Sequence, residues 1–579
     1  MSLAELLPLP VVLPISGAIL APIVARLDRR LPLLVGLLAV LGSLGVLLAQ
    51  AMTVYGGHGQ VMTHFFSNER PVHGQVLGIA FVADPFGMTF ALLAAALGWL
   101  LLLCLLSELG KLGGKELGGL SCLTQLLLAA LIGAALTGDA VNLFVWFEVA
   151  AISSYGLTGF FLERPIALEA AFKNLVLMSM AGFLVFAGAA MLYTMSGALN
   201  LGQLHRAVPP HPSRAELVAI ALLIAGFATK AGLVPFHGWL PDTHTPVPGA
   251  ISALFSGLMV DLGVVALARI MLQVFPRVHA LSGLLMTLGI VSAVLGALMA
   301  LVQDDLKRLL AWDTVSQMGI LVAGFATHKA EGVAGALYHL VNHGIFKALL
   351  FLCAGAIVHA TGLTKLSDLG GLWRRRPLLT AGFTIGCLSI AGVPPLNGYA
   401  SLGLIHDGLE DQPQVFAFAL IAQVLTIAAL GRALWLGFLR RRDEPYEHLE
   451  QLRLGMKVSL IVLGASCIAF GALATFFVPR VAAPGASILL HPSTYASAAL
   501  SAGTVVPKLP VSFDYGNPKT GLITGCELVV GIALLVLVVR RPRVTRVVDW
   551  LRALHTGSVN DYAAFATIGL AAAGYVLIG

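Results

Sequence analysis

The feature that most constrains this chain is a series of long apolar segments, many of them close to 20 residues, that recur throughout its 579 residues. A helix of about 20 residues crosses the ~30 Å hydrocarbon core of a bilayer. Charged residues make up only 11% of the chain, against about 25% in soluble domains. The sequence therefore predicts an all-α polytopic membrane protein.

The apolar segments predict about 16 transmembrane helices, numbered here as spans 1 to 16 in chain order. The predicted bounds are 6–27, 31–53, 84–107, 119–138, 141–161, 167–195, 215–236, 247–273, 280–302, 307–327, 331–359, 378–405, 413–439, 456–479, 521–539 and 562–579. The remaining residues form the loops, whose charges indicate how the chain is oriented.

Basic residues are distributed unevenly between alternate loops. One set holds 22 of the 35 Lys and Arg residues, and the opposite set holds eight. The richer set comprises loops 26–30, 108–118, 162–166, 303–308, 360–377, 440–457 and 540–561. The positive-inside rule places this set in the cytoplasm, so both termini lie on the outside face of the cell (inner) membrane. The net charge of +6 thus reflects topology, and no basic patch with interleaved aromatic residues indicates a nucleic-acid partner.

The five other basic residues and several carboxylates fall within the predicted spans. A charge at mid-membrane costs a few kcal/mol, so such residues usually face a bundle interior and mark an ion pathway. For three of them, Arg269, Arg432 and Glu527, snorkelling from a helix end is the favoured interpretation. The others are Lys173, Lys230, Lys347, Glu148, Asp261 and Asp313, with Glu169 near the end of span 6.

Residues 230–238 and 390–398 form an internal repeat at a constant offset of 160 residues. The shared positions are Ala231/Ala391, Gly232/Gly392, Pro235/Pro395 and Gly238/Gly398. The copies lie in spans 7 and 12, an offset of five spans, and an odd offset inverts the second copy relative to the first. Proline removes an amide donor and breaks a helix. The repeat therefore predicts inverted halves with broken helices in spans 7 and 12.

Buried acids, amines and imidazoles are the candidates for ion transfer. Glu148 and Lys230 can form a pair with two protonation states, which a passing proton can switch. The alternative is a purely structural ion pair. Glu169 and Lys173 stand four residues apart on one helix, and a structural role and a functional role remain equally open.

In span 11, His339, His343 and Lys347 recur every four residues and share one helix face. Imidazoles titrate near neutral pH, so a proton relay is favoured over satisfied core histidines or a zinc site without an accompanying HExxH carboxylate. His237 follows Pro235 at the break of span 7, where it is either a gate residue or an interfacial polar group.

Seven segments in order carry a resemblance to one family. They are Leu143–Tyr155, Ala171–Leu175, Lys230–His244, Ser252–Ile270, Asp305–Gln317, His339–Ala360 and Ala391–Ser401. Over about residues 84–440 the chain resembles the antiporter-like, proton-conducting subunits of respiratory complex I, membrane-bound hydrogenases and Mrp-type cation/proton antiporters. It is most similar to the D-type Mrp subunit and its hydrogenase relatives.

The resemblance implies a 14-helix core of two inverted five-helix repeats, each contributing a half-channel. The domain organisation is then an N-terminal three-helix region at 1–118, a first repeat at 119–273, a second at 280–440, and C-terminal helices at 441–579 with an outside loop at 480–520. The resemblance also implies that Glu148 and Lys230 form the paired gate. It places His339, His343 and Lys347 on the central and second-half path.

The sequence departs from the family pattern at three positions. Asp261 stands where relatives commonly carry Lys, Asp313 where a small hydroxyl residue is usual, and Leu402 where Lys or Glu is common. One hypothesis is a rewired carboxylate route through Asp313 and Asp261, with Asp261 paired to Lys347. The alternative is a blocked second half-channel in a subunit that only couples or scaffolds.

We therefore expect an ion-translocating subunit that moves protons, with coupling to Na⁺ left open, beside other membrane subunits in a lipid bilayer. We expect no cofactor in this chain, because its six cysteines are never two residues apart and no P-loop is present. The alternatives are a membrane-arm subunit of a redox-driven complex (group 4 hydrogenase or NADH/quinone oxidoreductase type), a membrane partner in inorganic carbon uptake, or a non-conducting scaffold. Whether the chain belongs to an enzyme stays open.

Overall fold

The computed structural model describes residues 2–56, 59–66, 71, 76, 78–108, 112–442, 446, 450–501, 504–541, 555 and 557–578. Most of them are helical, and a short antiparallel pair of strands, β1 (Met62–Phe65) and β2 (Ala80–Ala83), joins Met62 to Ala83 and Phe65 to Ala80 in register. The helices are α1 (Leu9–Val24), α2 (Leu31–Tyr55), α3 (Pro85–Glu108), α4 (Gly114–Leu136), α5 (Ala140–Thr158), α6 (Pro165–Ser196), α7 (Leu201–Ala207), α8 (Arg214–Ala231), α9 (Trp239–His244), α10 (Gly249–Leu254), α11 (Val260–Arg269), α12 (His279–Val302), α13 (Leu306–Ala326), α14 (Ala330–Thr361), α15 (Leu372–Arg375), α16 (Pro377–Ile390), α17 (Asn397–Leu409), α18 (Pro413–Leu434), α19 (Leu454–Ala472), α20 (Ala474–Phe477), α21 (Ala483–Leu490), α22 (Pro492–Ser501), α23 (Pro518–Arg540) and α24 (Val559–Ile578).

Short π-helical turns extend or join several of these helices, at Phe255–Met259, Ile270–Val274, Trp435–Leu439 and Val478–Ala482. A 3₁₀ turn lies at Leu366–Asp368. Within the described residues, 13 helices are long and apolar enough to cross a membrane, and three apolar helices are shorter. The chain is therefore a mostly helical membrane protein, as the apolar segments predicted.

Loops that the charge pattern assigned to one side lie together in the structure. Nη1 of Arg453 donates to the carbonyl of Ser107 at 2.8 Å, which joins loop 440–457 to the end of α3. The hydroxyl of Ser367 donates to Asp304 at 2.7 Å, which joins two further basic-rich loops. At the opposite side, Gln60 pairs with Val505 in a β-bridge. These contacts bring loops of the same charge class together.

The two repeat copies lie at helix breaks. Gly232 ends α8 with φ +69°, and Gly392 follows α16 with φ +71°, a left-handed conformation that favours glycine. At the first break, the indole of Trp239 donates to the carbonyl of Thr229 at 2.7 Å. At the second, Nε2 of Gln423 donates to the carbonyl of Ile390 at 2.7 Å. The indole of Trp239 thus adds to the bond that the Thr229 carbonyl accepts from the backbone of Gly232, and Gln423 supplies a donor to the carbonyl of Ile390 at the second break.

The predicted outside loop 480–520 is largely helical, so its prediction as a loop is wrong over Ala483–Ser501. The helices α21 and α22 pack into the protein, with Tyr495 buried and the hydroxyl of Thr63 donating to the carbonyl of Ala498 at 2.8 Å. Small residues explain the difference, because an Ala-rich segment packs closely without forming a long apolar run.

The helix α24 crosses the first break. A Cβ on Gly569 would lie 2.5 Å from Cγ of Pro235, and a Cβ on Gly238 would collide with the ring of Tyr562. These glycines let α24 approach the interrupted backbone closely. The break in α8 is therefore covered by a helix from far along the chain.

Candidate functional site

Glu148 on α5 and Lys230 at the end of α8 form the ion pair that the sequence predicted. Nζ of Lys230 lies 3.3 Å from Oε1 of Glu148, and it also donates to the carbonyl of Phe147 at 3.3 Å. The Lys230 side chain is 2% exposed, whereas the Glu148 side chain is 28% exposed. Gly182 on α6 leaves the space that the Glu148 carboxylate occupies, because a Cβ there would collide with it.

Lys173 on α6 contacts two carboxylates. Its Nζ lies 2.6 Å from Glu169 and 3.0 Å from Asp242 on α9. Asp242 also pairs with Arg308 on α13 at 3.2 Å. The predicted pair of Glu169 and Lys173 is therefore present, and it belongs to a network that joins three helices at the end of the first break.

Lys347 on α14 pairs with Asp313 on α13, with Nζ 2.5 Å from Oδ2, and both side chains are fully buried. The predicted pairing of Asp261 with Lys347 is wrong, because α13 lies against this face of α14 and supplies the nearer carboxylate. Asp261 on α11 instead lies beside His343, with Oδ1 2.9 Å from Nδ1. That contact is close but is not aligned as a hydrogen bond.

The predicted face of α14 is present. His339 contacts the hydroxyl of Ser401 through Nδ1 and Oε1 of Gln317 through Nε2, both at 2.9 Å. The ring of Phe346 lies 5.8 Å from that of His339 and 5.6 Å from that of His343. In the described part of the chain, no group of three or more His, Cys, Asp or Glu side chains could hold a metal ion. The three titratable groups therefore form a line along one helix.

His237 lies at the first break, where sequence reasoning left its role open. Its Nε2 lies 2.7 Å from Nε2 of His555, a residue that the sequence did not single out. The ring of Trp312 packs 5.1 Å from that of His237. An apolar cavity of about 160 Å³ adjoins them, lined also by Pro235 and Phe565. His237 is thus buried under the segment that precedes α24.

His244 and Lys307 lie between the surface and the second pair. His244 is fully buried and stacks on Phe351 with ring centroids 4.7 Å apart. Nζ of Lys307 donates to the carbonyl of Val247 at 2.6 Å. A cavity of about 580 Å³ opens beside them and is lined by Arg164, Lys307 and His359. This cavity leads from the basic-rich side of the protein towards α14.

Two residues assigned to snorkelling are buried, so that interpretation is wrong for them. Nη1 of Arg269 lies 2.7 Å from Oδ2 of Asp84 and 2.8 Å from Oε1 of Gln273. Glu527 is buried on α23, with Oε1 3.7 Å from Nε2 of His406. Both residues lie within predicted spans, so the general cost of a membrane charge was the signal that could have found them.

Arg432 fits the snorkelling interpretation better. Its Nη1 donates to the carbonyl of Gln303 at 2.5 Å, and its side chain is partly exposed. That carbonyl follows the end of α12, where a cation is favourable to the helix dipole. Arg432 is therefore best described as a residue that anchors a helix end.

The chain is similar to known membrane proteins. The family model described as "NADH:quinone oxidoreductase/Mrp antiporter, TM" matches residues 137–426, half of the chain. NADH-quinone oxidoreductase subunit N of Desulforudis audaxviator (strain MP104C) is 31% identical over 482 residues, covering 80% of this chain and 94% of the relative. The D-type subunit of the Na(+)/H(+) antiporter of Alkalihalophilus pseudofirmus (strain ATCC BAA-2126 / JCM 17055 / OF4) is 34% identical over 400 residues, covering 68% of this chain and 78% of the relative.

A solved structure gives the same result for the fold. A chain of the Mrp complex from Dietzia sp. DQ12-45-1b superposes on this chain with a TM-score of 0.77 at 25% identity. The match covers 86% of this chain and 100% of that chain. The resemblance seen in the sequence motifs is thereby confirmed. This chain belongs to the NADH:quinone oxidoreductase/Mrp antiporter family of transmembrane subunits.

Proposed function

We propose that this chain is the ion-translocating subunit of a multi-subunit membrane complex and moves protons along its buried acids, lysines and histidines. The observation that carries the proposal is the series of buried titratable groups that extends from Glu148 and Lys230 to Asp313 and Lys347. Such groups are costly within a membrane and usually mark an ion path. Relatives that are named as antiporter and quinone oxidoreductase subunits support the same activity.

The first pair acts as a switch. A proton that reaches Glu148 neutralises the carboxylate and removes the charge that holds the Lys230 ammonium. Lys230 then loses its proton more readily, and the proton passes towards the centre of the protein. Glu148 is the partly exposed member of the pair, so it is the group that a neighbouring subunit or an external charge reaches first.

The helix α11 connects the two pairs. Gly263 packs directly against the backbone of Ala231, because a Cβ on Gly263 would collide with it. Asp261, two residues earlier and about 200° around the same helix, lies beside His343 of α14. The route that we propose passes from Lys230 through Asp261 and His343 to Lys347 and Asp313. This retains the two carboxylates of the rewired route but changes their partners.

The proposal includes the arrangement of the chain in the membrane. We propose 16 spans, with inverted repeats at 119–273 and 280–440, an N-terminal region at 1–118 and C-terminal helices from 441. The matched glycine conformations at the two breaks support a repeat of the same local structure. The basic-rich loops would face the cytoplasm, with both termini outside. The cavity at Lys307 and His359 would then admit protons from the cytoplasm.

Replacement of Glu148 by Gln in the intact complex tests the proposal. We expect proton-coupled transport into membrane vesicles to fall by about 100-fold, as loss of a proton-transfer group does, while the complex assembles normally. Glu163→Gln, at an exposed loop position, is the matched control and should transport like the unaltered complex. Undiminished transport by Glu148→Gln would refute the assigned gate.

Redox drive is the second candidate, because the quinone oxidoreductase relative aligns over nearly its whole length. In that case other subunits carry the redox centres and this chain carries only the proton path. Purification of the complex and spectroscopy for iron–sulfur clusters distinguish the two forms of drive. Iron–sulfur clusters in the complex would favour redox drive. Na⁺-dependent proton exchange by a complex without such clusters would favour antiport.

A further inference from the structure

In the second half, the proton route that we propose reaches an apolar residue on its way out of the protein. His339 is the titratable group of the α14 line nearest to the start of that helix, and it contacts Ser401 on α17. The next residue of α17 is Leu402, which is buried and cannot carry a proton. A route that follows the family pattern would therefore stop here.

One helical turn beyond Leu402, α17 presents a different titratable residue. His406 is 6% exposed, and its Nε2 lies 3.7 Å from Oε1 of Glu527, which is 4% exposed. His406 lies five residues beyond Ser401, the residue of α17 that His339 contacts. A single water molecule can bridge polar groups at separations beyond a direct hydrogen bond. The pair therefore continues the line of titratable groups past the apolar residue.

α23 packs against α18, where Gly531 adjoins Ile427, and it touches α17 near its own start. A Cβ on Gly403 would lie 2.7 Å from Cγ2 of Thr520, so the two helices touch where α17 has no side chain. Thr520, Thr524 and Glu527 fall on one buried stripe of α23. The carboxylate thus faces the protein interior rather than lipid.

Glu527 does not act as an ordinary structural acid. Its Oε1 has no hydrogen-bond partner among the residues that the structure describes. A buried carboxyl group without full hydrogen bonding costs stability, and such groups are retained in membranes chiefly where they serve a function. The contact with His406 indicates the function that Glu527 serves.

The pair lies close to the protein surface. His406 is three residues from the end of α17, and Glu410 immediately follows that helix. The carboxylate of Glu410 pairs with Lys519 at the start of α23, and both side chains are substantially exposed. The exposed ends of α17 and α23 are therefore where a proton that leaves Glu527 would reach water.

We propose that His406 and Glu527 form the outward proton-transfer pair of the second half, in place of the titratable residue that Leu402 lacks. A proton from His339 enters His406 at Nδ1, and the proton on Nε2 passes to the Glu527 carboxylate. Glu527 then releases that proton to water, and exchange through water, which removes the proton from Nδ1 and returns one to Nε2, restores the first tautomer of His406. One proton enters and one leaves. This inference rests on the proposed function and names its second-half exit.

The experiment uses the intact complex in membrane vesicles. Glu527→Gln and His406→Asn should each lower proton-coupled transport by about tenfold, less than the roughly 100-fold that loss of a direct proton-transfer group can cost, because water near the surface replaces part of the path. Adding Leu402→Lys to Glu527→Gln should restore at least half of the transport. Glu410→Gln, at the exposed end of the same helix, is the control and should leave transport unchanged.

The restoring variant separates a functional role from a structural one. A loss in Glu527→Gln that Leu402→Lys leaves uncorrected would overturn the proposal, since a mere packing defect has no reason to respond to a lysine at 402. If Glu527→Gln fails to assemble, Glu527→Asp keeps the acid. It should assemble and transport at a reduced rate, and full transport by His406→Asn would then overturn the pair.

Glu148→Gln is measured in the same preparation so that the two hypotheses fail separately. If Glu148→Gln transports like the unaltered complex, the proposed function is wrong, and so is the proposed exit through His406 and Glu527. If Glu148→Gln is inactive while Glu527→Gln and His406→Asn retain full transport, only the exit is wrong.

Discussion

The two acid–lysine pairs use the same chemistry in different surroundings. The first pair joins Lys230 to a glutamate whose side chain is 28% exposed, at 3.3 Å. The second joins Lys347 to Asp313 at 2.5 Å, with both side chains fully buried. A pair with one partly exposed member has fewer neighbours that hold it together, whereas breaking a fully buried pair leaves an uncompensated charge. The first pair can therefore change its protonation state when a charge arrives nearby, whereas the second pair keeps its charges.

This difference in exposure determines which of the two pairs responds first. An event at the edge of the protein reaches Glu148 before it reaches any group of the second pair. Lys347 is held by the carboxylate and by the carbonyl of Leu310, so it changes state only when a charge arrives from within. The comparison predicts that substitutions at the second pair disturb stability and transport together, while those at the first disturb transport alone.

The largest effect is expected for Asp313→Asn. It leaves the Lys347 ammonium without its counter-charge, and removal of one partner of a buried pair costs about 3–5 kcal/mol. Thermal unfolding of the purified complex should show a clearly lower Tm, and vesicle transport should be lost. Asp313→Asn combined with Lys347→Met should recover the Tm but not the transport. An unchanged Tm in the single variant would remove the distinction between the pairs.

Lys230→Arg tests whether the first pair must change its protonation state. Arginine keeps the positive charge and the ion pair with Glu148 but does not release its proton near neutral pH. We expect transport to fall by about 100-fold with little change in Tm. Measured transport close to that of the unaltered complex would mean that Lys230 only holds Glu148 in place.

Asp261→Asn tests the connection between the pairs. The carboxylate oxygens of Asp261 have no hydrogen-bond partner in the part of the chain described here, so loss of the charge should not lower the Tm. Transport should fall by about tenfold, because the step between Lys230 and His343 loses its proton-accepting group. Full transport in vesicles would refute the carboxylate route.

Gly182→Ala should have a smaller effect on the first pair without altering any charge. The added methyl group collides with the Glu148 carboxylate and displaces it from Lys230. A displacement on the scale of 1 Å can slow a positioned reaction considerably, and we expect a loss of about threefold because the exposed carboxylate can move. Gly45→Ala is the matched control, since a Cβ there meets nothing within 4 Å.

The smallest effect is expected for Glu169→Gln. The Glu169 side chain is largely exposed, and an exposed salt bridge contributes about 0.2–1 kcal/mol. Lys173 retains Asp242 as a partner. Transport should therefore change by less than about twofold, whereas Asp242→Asn should reduce it more because it disconnects Arg308 as well. Equal effects of the two variants would contradict this ranking.

Sequence reasoning predicted features that are local along the chain. The face of α14 follows from helical spacing, and both breaks follow from Pro and Gly in matched positions. The pairing of Glu148 with Lys230 was also predicted, since a buried acid and a buried amine favour each other. The first two of these predictions depend on patterns within a few neighbouring residues, whereas the Glu148–Lys230 pairing joins residues 82 apart and rests on their chemistry and on the family resemblance.

Contacts between distant segments were not predictable in the same way. Periodicity indicates which face of a helix is buried but not which helix covers it, so Lys347 was assigned to Asp261 rather than to Asp313. Arg269 lies 185 residues from Asp84 in sequence. No spacing rule connects two such positions, and the mid-membrane charge alone left snorkelling as the favoured interpretation. The partner of a buried charge is a property of the packed fold.

The covering of the first break by α24 has a consequence for the order in which the protein matures. His237 and His555 are separated by 318 residues. At the usual pace of translation, roughly 15 to 60 seconds pass between their syntheses. During that interval the interrupted end of α8 lacks its final neighbour. The packing around the first half is therefore completed only after the second half has been synthesised. The half that is synthesised first is the later of the two to gain all its neighbours.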